Sequence, residues 1–304
     1  MRVFVTGASG FIGSAVVREL LDAGHQVTGL ARSDASAAAL TAAGAEVHRG
    51  SLEDPDSLAE GAAAADGVAH LAFIHDFANV DFAAACAVDR RAIETIGAAL
   101  EGSGKPFVIS SGTALLQPGR VGTEEDTATP TSFGWTRAQN EDTAVALTDR
   151  GVRPASVRFA PSVHGRGDHG FVSQLIATAR DKGFSAYVGD GANRWPAVHR
   201  TDAARLVRIA LESAPAGSRL HAVGDEGVPF RDIAAAIGRH LDLPVRSIAP
   251  EEAESHFAWL GHIVPLDIPA SNALTRKWLD WEPTGPGLLA DLAEGHYFDR
   301  PASA

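Results

Sequence analysis

A glycine-rich turn between an apolar strand and an amphipathic helix constrains the fold of this chain more than any other feature. The apolar run at residues 2–6 leads directly into Gly7-Ala8-Ser9-Gly10-Phe11-Ile12-Gly13, and a segment of helical period follows. In this context the first glycine permits a tight turn, the second lets the backbone approach a pyrophosphate, and the third allows the helix to pack closely on the strand. The amide groups and dipole of the helix N-terminus favour negative charge. The segment therefore predicts a dinucleotide-binding unit.

Short β-branched runs alternate with Ala- and Leu-rich segments of helical period over the first half of the chain. The predicted strands cover residues 2–6, 26–31, 45–49, 67–71, 107–110 and 154–159, and the predicted helices cover residues 10–23, 33–43, 55–64, 81–102 and 134–150. This alternation is typical of an α/β fold with a Rossmann-type, doubly wound parallel sheet.

The regular alternation ends after the sixth predicted strand, which indicates a second, smaller unit. We expect residues 1–160 to form the nucleotide-binding domain and residues 161–195 and 225–304 to form a mostly α-helical substrate domain. One further predicted strand, at residues 219–223, can return to the main sheet. The segment 196–224 is therefore assigned to the first domain.

Composition excludes several classes of protein. The chain has 38 acidic and 26 basic residues and a formal net charge of -12, which the phosphates of nucleic acid would repel. Its single cysteine, Cys86, rules out an intramolecular disulfide and a thiolate-rich zinc site. The sequence shows neither a signal-peptide pattern nor an apolar run of the roughly 18 residues that span a bilayer. We expect a cytoplasmic monomer or homodimer that binds a small-molecule substrate, and no nucleic acid or membrane.

The end of the second predicted strand carries the residues that select the nucleotide. An acidic residue at this position would bind the ribose 2′-hydroxyl of NAD, but the chain has Arg32 and Ser33 here and no carboxylate before Asp34. Arg32 can pair with a 2′-phosphate and Ser33 can donate a hydrogen bond to it. We therefore predict NADP(H) as the cofactor. The alternative is that Arg32 stacks on adenine or points into water.

Several further segments agree, in their order, with one family. They are Thr6 to Gly13, Gly50-Ser51-Leu52-Glu53-Asp54, His70-Leu71-Ala72, Val108-Ile109-Ser110-Ser111, Val157-Arg158-Phe159, Val198-His199-Arg200-Thr201-Asp202 and Leu279-Asp280-Trp281-Glu282-Pro283. Over nearly its whole length the chain resembles the extended short-chain dehydrogenases/reductases, also called the NAD(P)-dependent epimerase/dehydratase family. We expect cofactor contacts from Thr6, Gly7, Ser9, Gly10, Phe11, Ile12, Gly13, Arg32, Ser33, Ser51, Leu52, Leu71, Ala72, Arg137 and Phe159.

One part of the family's pattern is missing from this chain. The resemblance implies a Ser or Thr together with a Tyr and a Lys in YxxxK spacing, in which Tyr passes the proton and Lys lowers its pKa. Ser111 matches the first position, but alignment on Glu141 puts Phe133 at the Tyr position and Arg137 at the Lys position. Neither of the chain's two tyrosines is close to this helix in sequence. The pattern resembles the atypical branch of the superfamily, which keeps nucleotide binding and has lost the catalytic tyrosine.

Four residues are candidates for the chemistry that the missing tyrosine would perform. His75 follows the fourth predicted strand, and histidine is the natural proton donor near neutral pH. Ser111 and Thr113 can hydrogen-bond a substrate oxygen, and Arg137 can hold the nicotinamide ribose or a substrate carboxylate. The alternatives are a capped surface histidine, ordinary strand-end caps, and an exposed arginine paired with Glu141 at i,i+4.

Two later segments, residues 161–170 and 193–200, combine glycine with polar and aromatic side chains, as a substrate pocket would. We expect substrate contacts from His75, Phe133, Trp135, His164, Trp195 and His199. Three residues of the first segment, His164, Asp168 and His169, could in principle bind a metal. Because no second cluster of ligands supports such a site, we predict no metal.

Three functions remain open at this point. The first is an NADPH-dependent reductase of a small carbonyl or imine compound with a non-standard proton donor. The second is a catalytically silent NADP-binding sensor. The third, a nucleotide-sugar epimerase or dehydratase, is disfavoured because those reactions also begin with hydride abstraction assisted by Tyr. The polar and aromatic segments favour the reductase, because a sensor has no evident need for them.

Overall fold

The chain folds into a parallel sheet covered by helices, with a second unit built from short strands and helices. The computed structural model describes residues 1–75, 80–130, 132 and 134–299. The strands in this part of the chain are β1 Arg2–Thr6, β2 Gln26–Ala31, β3 Glu46–Arg49, β4 Gly67–His70, β5 Pro106–Gly112, β6 Arg153–Phe159, β7 Ser162–His164, β8 Ser185–Val188, β9 Arg194–His199, β10 Ser218–Ala222, β11 Asp225–Pro229 and β12 Val245–Ile248. The α-helices are α1 Phe11–Asp22, α2 Asp34–Ala43, α3 Pro55–Ala64, α4 Phe82–Ala99, α5 Trp135–Val145, α6 Phe171–Lys182, α7 Arg200–Ser213, α8 Phe230–Leu241, α9 Ala253–Phe257, α10 Ala273–Leu279 and α11 Leu288–Ala293.

The main sheet has seven parallel strands in the order β10-β6-β5-β4-β1-β2-β3. The strand order reverses between β1 and β4, and this reversal opens a crevice outside the carboxyl ends of the strands. Helices α1, α2 and α7 cover one face, and α3, α4 and α5 cover the other. The predicted Rossmann-type fold is confirmed. No helix in the described ranges has the length and apolar character needed to cross a bilayer.

Local signals account for the bounds that the sequence predicts without error, those of β1, β2 and α3. Helix α3 begins at Pro55, whose fixed φ and missing N–H suit the first helical position. Asp54 caps it, because its carboxylate accepts a hydrogen bond from the Ser57 amide at 3.2 Å. The predicted helix at 134–150 is divided, since α5 ends at Val145 and a 3-10 turn, Ala146–Arg150, follows.

The second unit contains more strand than the sequence predicts. A three-stranded sheet, β11-β9-β7, and a two-stranded sheet, β12-β8, pack with α6, α8, α9 and α11 around an apolar core. Several of these strands have only three or four residues, so they carry little periodicity. Trp195 lies at the centre of this core, fully buried, with its ring 5.1 Å from Phe230 and 6.0 Å from Phe171. It therefore packs the core instead of lining a substrate pocket, which corrects the expectation from sequence.

A buried ion pair joins α5 to the main sheet. Arg158 in β6 donates from Nε to Glu141 Oε1 at 2.9 Å and from Nη2 to Oε2 at 3.0 Å, and both residues are buried. The ring of His221 in β10 lies 3.4 Å from Arg158 Nη1, and burial together with this cation lowers the pKa of His221 to about 3. Glu141 is thus engaged by Arg158, and the alternative pairing of Glu141 with Arg137 is not formed.

Replacing Glu141 by Gln leaves the Arg158 guanidinium buried without a counter-charge. We expect the free energy of unfolding to fall by about 3–5 kcal/mol, because breaking one half of a buried pair strands the other charge. Urea unfolding followed by circular dichroism measures this change. The matched control is Asp34→Asn, which removes the exposed pair with Arg49 and should change stability little. If both variants lowered the free energy of unfolding by the same small amount, the buried pair would not stabilise the fold as we expect.

Candidate cofactor and active site

The turn between β1 and α1 requires glycine at two positions and leaves a third open. Gly7 has φ +67°, and a Cβ there would lie 2.8 Å from the Ala72 amide nitrogen. A Cβ on Gly13 would lie 1.9 Å from the Gly7 carbonyl oxygen. A Cβ on Gly10 would meet only that same oxygen, at 3.2 Å, and no side chain caps the N-terminus of α1. The turn therefore presents free amides and an open face, which fits the pyrophosphate of a dinucleotide.

The end of β2 leaves one cation without a partner. Arg32 is exposed and forms no ion pair with any residue in the described ranges. The Ser33 side chain caps α2, accepting a hydrogen bond from the Ser36 amide at 3.2 Å. Arg49, at the end of the adjacent β3, donates to the Asp34 carboxylate at 2.6 Å. The first carboxylate after Arg32 in the sequence is therefore paired with a different arginine.

The carboxyl end of β4 closes against the glycine turn. Leu71 and Ala72 form the backbone that Gly7 contacts, and the Ala72 amide donates to Thr6 Oγ1 at 3.2 Å. Thr6 is fully buried, and its side chain joins the end of β4 to the start of the glycine turn.

The other residues expected to contact the cofactor lie along the same edge of the sheet. Ser9 is exposed at the tip of the glycine turn, and Phe11 and Ile12 are half-buried in the first turn of α1. Ser51 and Leu52 follow β3, and Ser51 Oγ accepts a hydrogen bond from the Glu53 amide at 3.2 Å. Phe159 ends β6 and is buried.

A continuous chain of buried polar side chains runs from the glycine turn to α5. Thr6 Oγ1 lies 2.8 Å from His70 Nδ1, and His70 Nε2 lies 3.2 Å from Asp89 Oδ1 in α4. The other oxygen of Asp89 forms an ion pair with Arg137 Nη1 and accepts a hydrogen bond from Asn140 Nδ2 at 2.6 Å. Burial would raise the pKa of Asp89, but the Arg137 cation and the His70 hydrogen bond outweigh it and hold this pKa at about 2. The carboxylate is therefore ionised.

Arg137 is held at the carboxyl edge on three sides. In addition to the Asp89 pair, its Nη2 donates to the Ser110 carbonyl at 2.9 Å, and its guanidinium carbon lies 3.9 Å from the centroid of the Phe73 ring. Only about 11% of its side chain is exposed. Arg137 is thus a fixed positive charge beside the end of β5, instead of a mobile surface residue.

Ser111 and Thr113 follow the Ser110 carbonyl that Arg137 contacts, and His75 lies against Phe73, the ring under the Arg137 guanidinium. The Ser111 hydroxyl is buried and has no hydrogen-bond partner among the described residues, which is costly unless a ligand supplies one. Thr113 is buried and its hydroxyl donates to the Phe159 carbonyl at 3.5 Å. His75 is exposed to solvent, with its Nδ1 3.1 Å from the Phe73 carbonyl oxygen and its ring 5.3 Å from that of Phe73. The protein packed around the ring, and then Arg137, lower the pKa of His75.

His164 and His199 lie together at a different place, the wall of a cavity of about 90 Å³ beside α7. Their rings are 5.5 Å apart. His164 Nδ1 is 2.9 Å from an oxygen of Asp291, and His199 Nδ1 is 2.7 Å from Thr201 Oγ1. Burial lowers the pKa of His199. Ser111, Thr113, His75 and Arg137 do not line this cavity. The structure therefore does not bring these two histidines to the end of β5.

The loop at 161–170 does not assemble a metal site from His164, Asp168 and His169. Asp168 accepts hydrogen bonds from the Gly170 amide at 2.6 Å and the Tyr297 hydroxyl at 3.0 Å. His169 stacks edge-on against Phe11, 5.9 Å away.

Trp135 begins α5, half-buried, whereas Phe133 lies outside the described residues. Both tyrosines, Tyr187 and Tyr297, pack against the core of the second unit. Neither stands at the end of β5 with Ser111.

Sequence reasoning missed Asp89 and Asn140 as members of this network. A signal was present, because Asp89 lies on the buried face of α4 among Cys86, Ala92 and Ile93, where an acidic residue needs a partner. Periodicity shows that the residue is inward-facing, but it does not identify that partner.

Residues 3–223 match the family described as the NAD dependent epimerase/dehydratase family, and the chain belongs to it. An uncharacterized protein of Schizosaccharomyces pombe is 49% identical over 98% of this chain and 100% of its own length. A 2-alkyl-3-oxoalkanoate reductase of Stenotrophomonas maltophilia is 29% identical over 78% of this chain and 76% of its own length. The crystal structure of a dTDP-glucose 4,6-dehydratase from Streptomyces venezuelae, with NAD bound, superposes with a TM-score of 0.78 at 22% identity, covering 98% and 97% of the two chains. This structural likeness shows the fold.

Replacing Gly10 by Asp separates folding from nucleotide binding. Gly10 is the N-cap of α1, where Asp is a favoured residue, so we expect stability to be unchanged or raised by roughly a few tenths of a kcal/mol. The same carboxylate would repel a pyrophosphate and fill its space, so nucleotide binding should be lost. Thermal unfolding and calorimetric titration measure the two effects. A Gly13→Ala variant, whose methyl group meets backbone, should instead lose stability. Undiminished nucleotide binding by Gly10→Asp would remove the assignment of the turn.

Proposed function

We propose that this protein is an NADPH-dependent reductase of small carbonyl or imine compounds. The observation that carries the proposal is the buried Ser111 hydroxyl, which has no hydrogen-bond partner among the described residues and follows Ser110, the residue that the fixed charge of Arg137 contacts at the carboxyl end of β5. A hydroxyl in this position can donate a hydrogen bond to a substrate oxygen. The similarity to a 2-alkyl-3-oxoalkanoate reductase supports reduction of a carbonyl group.

Different residues would bind different parts of the cofactor. The glycine turn would hold the pyrophosphate, Arg32 the 2′-phosphate, and Arg137 the ribose next to the nicotinamide. The cofactor supplies a hydride when it is bound. Ser111 would then orient the substrate oxygen, and the positive field of Arg137 would stabilise the negative charge that develops on it. Arg137 keeps its proton at any useful pH, so the proton for the product must come from another group.

His75 is the proton donor that the geometry favours. It lies on the Phe73 ring, whose neighbour is the Arg137 guanidinium, and thus beside the same strand end as Ser111. Since burial lowers its pKa below the usual 6.5, the imidazolium form is a minor species at neutral pH. Reduction should therefore be faster under mildly acidic conditions.

The pH dependence of carbonyl reduction tests this role. We expect kcat/KM to be highest below the pKa of His75 and to fall as the pH rises through it, with the midpoint below 6.5. The variant His75→Ala should lose roughly 10²-fold or more in rate and lose this limb of the profile. His262→Ala, which changes an exposed histidine paired with Glu254, is the control. A profile that is the same in the wild type and His75→Ala would exclude His75 as the donor.

Arg32→Ala tests the preference for NADP. Arg32 has no ion-pair partner in the described ranges, so its removal should not disturb the protein. We expect it to weaken NADPH binding by roughly 10- to 100-fold, the value of a charge-assisted contact, and to leave the affinity for NADH nearly unchanged. Calorimetric titration with each nucleotide measures the two affinities. Arg2→Ala, at the opposite end of β1 and paired with Asp66, is a control for loss of a surface arginine. Equal losses for both nucleotides would mean that Arg32 does not read the 2′-phosphate.

The proposed function itself is tested by turnover. The purified protein is mixed with NADPH and a panel of aldehydes, ketones and imines, and NADPH consumption is followed by absorbance. We expect at least one compound to be reduced, with loss of the rate in Ser111→Ala. Tight NADPH binding without turnover across the panel would favour a catalytically silent NADP-binding protein instead.

A further inference from the structure

Arg200, the first residue of α7, lies against the first turn of α1. Its Nη2 donates to Ser14 Oγ at 3.0 Å, and its guanidinium carbon is 4.5 Å from the centroid of the Phe11 ring. Its Nη1 donates to the Arg166 carbonyl at 3.0 Å. Arg200, in the segment 196–224, thus contacts the helix that begins at the glycine turn.

The two helices run side by side in the same direction, which fixes Arg200 at the carboxyl edge of the sheet. Arg200 donates to Ser14 near the start of both helices, and farther along Arg208 of α7 donates to Glu19 of α1 at 2.8 Å. The N-termini of both helices therefore lie at the same edge as the crevice.

The charge of Arg200 differs from that of Arg208 in having no counter-ion. Arg208 forms ion pairs with Glu19 and Glu212. Arg200 forms no ion pair with any carboxylate in the described part of the chain, although it is half-buried and its pKa is lowered by that burial. Asp168 adds an electrostatic attraction without forming an ion pair, and its carboxylate accepts hydrogen bonds from Gly170 and Tyr297. A half-buried guanidinium without a carboxylate indicates an anionic partner outside the protein.

Hydrogen-bonding capacity remains for such a partner. A guanidinium has five N–H donors, and the contacts to Ser14 and Arg166 use two of them. The guanidinium lies against Ser14 and Phe11 in the first turn of α1, directly after a glycine turn whose Gly10 leaves its outer face open. A phosphate group is the anion that this combination of an arginine, free helix amides and glycine suits best.

We propose that Arg200 binds the pyrophosphate of the nicotinamide cofactor, so that the segment 196–224 completes the phosphate site beside the glycine turn. This inference rests on the proposed function, because it requires that a dinucleotide binds. The pyrophosphate is common to NAD and NADP. Arg200 therefore contributes equally to both nucleotides, whereas Arg32 distinguishes between them.

The test is calorimetric titration of the full-length protein and its variants with NADPH and NADH. Arg200→Met keeps an unbranched side chain over Phe11 and removes the charge. We expect it to weaken the binding of both nucleotides by the same factor, roughly 10- to 100-fold. Arg200→Lys keeps the charge and should retain more affinity for both. Arg208→Met, on the same helix with protein counter-ions, is the matched control and should bind both nucleotides as the wild type does.

Three results would overturn the proposal. Wild-type affinity of Arg200→Met would show that the residue does not contact the cofactor. A loss for NADPH alone would place Arg200 at the 2′-phosphate instead. Equal losses in Arg200→Met and Arg200→Lys would show that charge is not responsible. If the wild type binds neither nucleotide, the proposed function itself fails. In the other three outcomes the wild type still binds nucleotide, so the two kinds of failure are distinguishable. Urea unfolding of each variant confirms that it is folded before titration.

Discussion

The buried carboxylate of Asp89 is the interaction on which the candidate site depends. A charge removed from water costs several kcal/mol unless it is paired and hydrogen-bonded. Asp89 meets this requirement through His70 at the end of β4, and through Arg137 and Asn140 on α5. Since these partners belong to different elements, the one carboxylate fixes the position of α5 against α4 and the sheet. It also connects Thr6, at the glycine turn, with the arginine beside Ser111.

Arginine at this place has chemical consequences that lysine would not have. A lysine can lower the pKa of a neighbouring hydroxyl and can itself lose a proton, whereas a guanidinium stays charged and presents several donors in one plane. The plane of Arg137 is used by Asp89, by the Ser110 carbonyl and by the face of Phe73. The site is thus built around a permanent charge, and in the proposed reduction the proton comes from a separate group, His75.

The sequence is informative wherever structure is decided locally. The glycine turn, the Pro55 and Asp54 signals at α3 and the apolar runs of β1 and β2 predict their elements with the observed bounds. Pairings between distant segments are different. Nothing local assigns Glu141 to Arg158 instead of Arg137, or Asp89 to Arg137, because each choice depends on how α4, α5 and β6 pack. Trp195 shows the same limit, since an aromatic residue among polar neighbours suits a pocket and a core equally well in sequence.

This carboxyl edge is proposed to bind a nicotinamide dinucleotide although no tyrosine stands beside Ser111 among the described residues. Calorimetric titration of the purified wild-type protein with NADPH and with NADH measures that binding. We expect saturable binding of one nucleotide per chain, with NADPH the tighter of the two. Absence of binding by both nucleotides would show that this edge is not a dinucleotide site, because the glycine turn, Arg32 and the Asp89 network would then have no ligand in common.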